Sequence, residues 1–249
     1  MPSQAERADQ IGEEVTAAVA AALGGTWTGA ALLEAVLQLW PELAAKATAE
    51  QVIHALHVLG FVDSVHRALV DALTGPVEDA YAAGVEYAAD TQGVPQTFDP
   101  KDALRLGGLQ HALDQLGIEL EGVSRTSVDQ IGNVLAQAIA DGVGSAVAAQ
   151  RIEPMLHDPA RAEVIARTEI ARAREGAALA QAQSMGGVDK SWSDAPGACP
   201  ICQANTAEGV IGIDQPFQGG AMNPPQHPMC RCALSIVPSP ISATPDGAP

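Results

Sequence analysis

Apolar residues recur at three- and four-residue steps along most of this chain, and the pattern stops at Gly186-Gly187. Upstream of that point the sequence reads as one helix after another. Downstream, Gly, Pro, Asn and Asp become frequent, and all four cysteines lie there. A chain divided in this way implies a helical body followed by a small unit held together by something other than a large apolar core. Apolar residues make up 47% of the sequence but aromatics only 3%, so the core has to be built from Ala, Leu, Val and Ile. Such side chains let helices pack closely, and Ala is the strongest helix former. The predicted fold class is mainly α: helical N-terminal and central regions followed by a small Cys/His-rich α+β unit.

Residues 4–23 carry Ile11, Val15, Ala18, Val19 and Ala22 at helical spacing. A second helix is expected over 30–48, kinked or restarted at Pro41. A third covers 49–73 and ends at Gly75-Pro76, and a fourth covers 77–90. Two prolines and a glycine mark residues 93–100 as a linker. Residues 101–120 place Leu104, Leu109, Leu113, Leu116 and Leu120 on one face. Ser127 and Gln130 form a Ser-x-x-Gln capping box that opens the next helix, with Val128, Ile131, Leu135, Ala138, Ile139 and Ala146 as its stripe. Asp158 is a good N-cap, and Pro159 suits the first helical position because its missing N–H would be unpaired there anyway. Gly186-Gly187 ends that last helix. Beyond it, residues 190–193 and 209–213 read as short extended pieces. The expected domains are a helical N-terminal region over 1–95 and a second domain over 100–237. The second is helical over 100–187 and Cys/His-rich over 188–237. Residues 238–249 hold four prolines and form a disordered tail.

The formal charge of −17 repels nucleic acid unless basic groups are gathered locally, which argues against DNA binding as a main role. Arg151, Arg161, Arg167, Arg172 and Arg174 do fall within one stretch, interleaved with Glu153, Glu163, Glu169 and Glu175. That alternation describes a charge-balanced helix, with weak contact to DNA phosphates as the sharper reading. Residues 1–10 lack a basic region followed by an apolar run, so no secretory signal is expected. Apolar runs are broken well short of the roughly 20 residues that a membrane span needs. The expectation is a cytosolic protein with no membrane partner, whose thiols stay reduced.

Cys199 and Cys202 form a C-x2-C pair, His227 and Cys230 an H-x2-C pair, and Cys232 follows two residues later. Two such pairs turn their donors toward one spot and suit the tetrahedral S/N site that zinc prefers. The intervening loop has few bulky residues, so a cross-link of some kind would hold the unit together. A structural zinc, reduced thiols in a small core, and disulfides all fit the spacing; a reducing compartment disfavours the last. Five donors compete for four places, with Cys199, Cys202, His227 and Cys230 the expected set and Cys232 the substitute. A catalytic zinc would need an open position and a base. No H-E-x-x-H or H-x-E motif is present, and nothing in the spacing ties His157 or Glu169 to the cysteines, so no catalytic residue is assigned.

The order of features over residues 158–237 is specific. A helix carries Ala166-Arg167-Thr168-Glu169-Ile170-Ala171-Arg172-Ala173, followed by a glycine break and Lys190-Ser191-Trp192. Then come Asp194, Cys199-Pro200-Ile201-Cys202, Asp214-Gln215-Pro216-Phe217, and Pro224-Pro225-Gln226-His227-Pro228-Met229-Cys230-Arg231-Cys232. This ordered set resembles the phage Mu F-like minor head proteins, the phage head morphogenesis family. The resemblance implies a bacteriophage minor capsid protein of low copy number, acting in head assembly. Its implied partners are the portal protein and capsid proteins. Its implied place is the virion, in the head interior or at the portal vertex, and the host cytoplasm during assembly. Within the match, Arg167 and Glu169 are expected to pin the helix to the cysteine unit or to bind a partner. Trp192 and Phe217 are expected to form the core of the small unit. Arg231 is placed to bond backbone carbonyls or a carboxylate such as Glu169. The competing class is an enzyme, a zinc-dependent nuclease or transferase using the Cys/His unit; a DNA-binding zinc module is the third.

Overall fold

The computed structural model describes residues 12–24, 27–39, 48–93, 103–143, 145–186 and 188–238. The chain is mainly helical with a small C-terminal sheet, as the periodicity predicts. In order it forms α1 Gly12–Gly24, α2 Gly29–Leu39, α3 Ala49–Val58, α4 Phe61–Thr91, α5 Ala103–Ala140, α6 Ser145–Leu156 and α7 Pro159–Met185. Then follow β1 Val188–Ser193, α8 Pro200–Ala207, β2 Val210–Gly212 and β3 Ala233–Pro238. Expectations about residues 1–11, Pro41, most of the 93–100 linker and the tail beyond 238 lie outside the described residues.

Local signals set some boundaries as expected. Asp158 caps α7: its Oδ1 accepts from the Ala160 and Arg161 N–H groups at 3.0 and 3.2 Å. Gly186, at φ +70°, follows the end of the helix. Thr48 and Gln51 form a reciprocal capping box at the start of α3. Gly60, at φ +70°, divides the expected 49–73 helix into α3 and α4.

Two expected breaks are overridden. The chain was expected to leave its helix at Gly75-Pro76, yet α4 runs through Pro76. A proline inside a helix costs about 3 kcal/mol. Val65, Leu69, Leu73, Val77 and Ala80 form one buried stripe across the site. Each fully buried Leu or Val contributes roughly 1.5–3 kcal/mol, so burial on both sides of Pro76 outweighs the break. Likewise Ser127 does not open a new helix. It lies inside α5, where its hydroxyl donates to the Val123 carbonyl at 3.0 Å, and Ser124 does the same to Leu120 at 2.8 Å. Both serines are buried, and bonding the preceding turn satisfies their hydroxyls without ending the helix.

The chain packs as two compact units that cut across its linear zones, because α4, α5 and α7 are long enough to belong to both. One takes in the described residues up to Pro76 together with Leu113–Ala166. Here α2 lies along α6, and the Glu153 carboxylate accepts from the Gly29 N–H at 2.6 Å. A Cβ at Gly29 would stand 2.4 Å from the Ala149 carbonyl oxygen, so this crossing requires glycine. Trp27 meets Phe61 edge-on, with ring centroids 6.0 Å apart.

The other unit comprises the described residues among 77–112 and those from Arg167 onward. Its sheet has the order β2-β1-β3, antiparallel throughout, with Lys190 opposite Ile211 on one side and Ile236 on the other. Val188, Trp192, Phe217, Leu234 and Ile236 pack with Ala178, Leu179 and Ala182 of α7 and with Cys202, Cys230 and Cys232. The outer edge of β3 is covered. Leu234 N–H donates to the Glu175 carboxylate at 2.7 Å, and Ile236 N–H to the Tyr87 hydroxyl at 3.4 Å. Side chains from α7 and α4 thus take the hydrogen bonds that a neighbouring strand would otherwise seek.

Candidate metal centre

The donors converge because two short segments turn tightly. Cys199 is the N-cap residue of α8, with Pro200 at the first helical position and Cys202 buried one turn later. The second segment, His227-Pro228-Met229-Cys230, is a turn closed by the Cys230 N–H donating to the His227 carbonyl at 3.1 Å. Proline at its second position and a left-handed residue at its third, Met229 at φ 62°, are features of a type II turn. The chain then enters β3 through Cys232.

Cys199 Sγ lies 3.2 Å from His227 Nε2, Cys202 Sγ lies 3.6 Å from the same nitrogen, and Cys202 Sγ lies 3.7 Å from Cys230 Sγ. Two groups of mutually close donors result, Cys199–Cys202–His227 and Cys202–Cys230–Cys232, with Cys202 common to both. Metal–sulfur and metal–nitrogen distances of about 2.3 and 2.0 Å put tetrahedral S···S and S···N edges at roughly 3.8 and 3.5 Å. The two edges that meet at Cys202, toward Cys230 and toward His227, come close to those lengths, whereas the Cys199–His227 edge, at 3.2 Å, is shorter. The donor chemistry fits as well: thiolates and imidazole suit zinc, and neither group contains a carboxylate. Either three-donor group could hold a metal ion, and Cys202 belongs to both. Bound there, zinc would supply folding free energy as a cross-link.

The surroundings prepare the ligands. His227 Nδ1 lies 2.8 Å from the Pro228 carbonyl oxygen, which can only accept. With a metal ion on Nε2, the ring proton would sit on Nδ1 and donate to that carbonyl. The Cys199 thiol is held down at about 7. The Cys202 backbone N–H is the largest cause; the Cys202 side chain, the Ile201 N–H and His227 act in the same direction, against burial. Burial is the main cause that pushes Cys202 and Cys232 up. All four cysteines are free thiols. Metal binding requires deprotonated ligands, so Cys199 is readier than Cys202 and Cys232.

Residues that sequence reasoning did not select hold the loops in place. Asn205 is fully buried; its Oδ1 accepts from the Gly219 N–H at 2.8 Å, and its Nδ2 donates to Gln226 Oε1 at 3.3 Å. Gln226 returns a bond to the Gly219 carbonyl at 3.1 Å, which ties α8 to the segment leading into His227. Lys190 is also fully buried, with Nζ donating to the Met222 carbonyl at 2.8 Å and lying 5.2 Å from the Phe217 ring centroid. Burial pushes its ammonium below the usual lysine range. The signal for Lys190 was present: it falls between Val188 and Trp192 on the inward phase of β1. Nothing local marked Asn205 or Glu175.

Trp192 and Phe217 meet edge-on at 5.1 Å in the core of the unit. Arg231 is exposed and donates to the Pro196 carbonyl at 3.0 Å, a backbone carbonyl and not a carboxylate. Glu169 is buried and paired with Arg172, while Arg167 is half-buried on the same helix. The arginine-rich stretch is largely neutralised within the chain: Arg151 pairs with Asp141, Arg172 with Glu169 and Arg174 with Glu175. His157 lies in the turn after α6, in the first unit. No helix among the described residues is long and apolar enough to cross a membrane.

Residues 129–235 match the family described as phage Mu protein F-like protein. The match spans the end of α5, α6, α7 and the whole Cys/His unit except its last strand residues. Comparison with curated proteins and with solved structures produced no match.

Proposed function

Since residues 129–235 match the phage Mu F-like family, we propose that the chain is a minor structural protein of a tailed-phage head, acting in head assembly at the portal and the capsid interior. The family match is the observation that carries this reading. The donor chemistry supports it. A set made only of thiols and one imidazole, with more donors than a tetrahedral ion has places, suits a closed structural cross-link better than a catalytic ion with an open position. Glu169 and Glu175, the buried carboxylates of α7, are engaged by Arg172 and by Arg174 with the Leu234 N–H. The functional partners are the portal and capsid proteins, with DNA at most a weak contact of arginines that acidic neighbours already occupy. Co-purification of tagged protein with portal, and copy counting by mass spectrometry in procapsids and virions, test the proposal. The expected result is portal-bound protein at far fewer copies than the major capsid protein. Absence from both procapsids and virions ends the structural reading, and metal-dependent cleavage of DNA by the purified chain would replace it with the enzyme.

A further inference from the structure

The Arg167-Thr168-Glu169 segment of α7 is recognisable in the sequence, yet none of its three residues is a metal donor. Thr168 is buried, and its Oγ1 accepts a hydrogen bond from the Met229 N–H at 3.3 Å, bridging 61 positions of sequence. Met229 is the residue between His227 and Cys230 that carries the turn. Among the described residues it is the one non-glycine at positive φ, 62°. Third positions of such turns usually carry glycine, because a Cβ disfavours the left-handed region. The Met229 side chain is 37% exposed, so packing of that side chain is a weak hold on the conformation. The Cys230 N–H to His227 carbonyl bond holds the turn from within, and the Thr168 hydroxyl supplies a second hold from outside it, at the Met229 N–H. The rotation at Met229 also sets the direction in which Cys230 Sγ approaches Cys202, and it closes the turn that carries His227.

We propose that Thr168 is a positioning residue for the metal centre: its hydroxyl holds Met229 in the left-handed conformation that directs His227 and Cys230 toward Cys202. Groups outside the ligand set that orient ligands typically change metal affinity about 10- to 100-fold when removed. The inference rests on the Cys/His set binding metal, so the test begins with the wild-type full chain, titrated with Zn2+ against a competing chelator and with Co2+ followed by its d–d absorption. Thr168→Val keeps the shape and removes the hydroxyl. The expected result is Zn2+ affinity weaker by about 10- to 100-fold and a Co2+ spectrum altered from the tetrahedral pattern, with Thr168→Ser close to wild type. Placing Thr168→Val on a Met229→Gly background should recover most of the loss, since glycine takes positive φ without help. A purely structural contact would show no such rescue.

A second pair of variants leaves Thr168 in place and does not depend on Thr168→Val folding. Met229→Gly should bind Zn2+ at least as tightly as wild type, and Met229→Val, whose β-branch opposes the left-handed region, should bind more weakly. Wild-type affinity and spectrum in both Thr168→Val and Met229→Val would overturn the inference while leaving the metal reading intact. Failure of the wild-type chain to bind Zn2+ or Co2+ would defeat the metal reading itself, and the inference with it.

Discussion

Gly84 lies inside α4, buried, where a Cβ would stand 2.1 Å from the Arg174 carbonyl oxygen of α7 and 3.0 Å from the Ala177 Cβ. Gly84→Ala therefore sets two effects against each other. Alanine in place of glycine inside a helix gains about 0.8–1 kcal/mol. Forcing a methyl group into a packed contact costs typically about 1–3 kcal/mol. The obstructing atom is backbone, so no rotamer change relieves it, and α4 and α7 have to separate. The upper part of that range applies, and the net loss comes to about 2 kcal/mol. For a chain of this size the melting temperature should fall by roughly 4–8 °C. Gly176, on α7 of the same unit, has open space where its Cβ would go, so Gly176→Ala should raise the melting temperature by roughly 2–4 °C. Thermal unfolding followed by far-ultraviolet circular dichroism, with Trp192 fluorescence as a local reporter, reads both. If Gly84→Ala proves as stable as wild type, the backbone contact assigned to that crossing is wrong.

Metal removal should act on the small unit first. Protein purified without added metal is expected to carry about one equivalent of zinc, and a chelator should open residues 188–237 to protease while the helices over 113–156 persist. Cys199→Ser with Cys202→Ser should reproduce this, and Cys232→Ser should be milder. Less than about a tenth of an equivalent, with proteolysis unchanged by chelator, would remove the zinc reading. Glu175 gives a pH signature. Burial raises its carboxyl above the usual range, against Arg174 and the Leu234 N–H. A raised carboxyl binds its proton more tightly folded than unfolded. Its stabilising contribution is therefore full below the unfolded value of about 4.3 and is lost as pH rises through the folded value. Glu175→Gln abolishes that titration, so wild type should lose stability relative to this variant as pH is raised from about 4. A stability difference that stays flat across that range counts against the assignment.

Much of this protein is written in short-range signals. Asp158-Pro159 and Gly186 delimit α7 because a cap is formed by neighbouring residues and needs nothing distant. Cys199–Cys202 and His227–Cys230 are legible as donor pairs for the same reason: each is made within one turn of chain. The helical majority follows from apolar spacing and from the scarcity of aromatics. Tertiary structure decided what local rules leave balanced or silent. Pro76 and Ser127 carry helix-ending chemistry, yet α4 and α5 continue through them because buried side chains on either side outweigh a local break. Residues 233–238 become a strand because β1 offers its hydrogen bonds on one edge while Glu175 and Tyr87 take the other. The meeting of Cys202 with Cys230 and His227, and of Thr168 with Met229, joins groups separated by 25 to 61 positions. Periodicity and spacing fix which faces and which donors exist, but closing loops of that length depends on the free energy of the whole packed unit, and no stretch of sequence carries that alone.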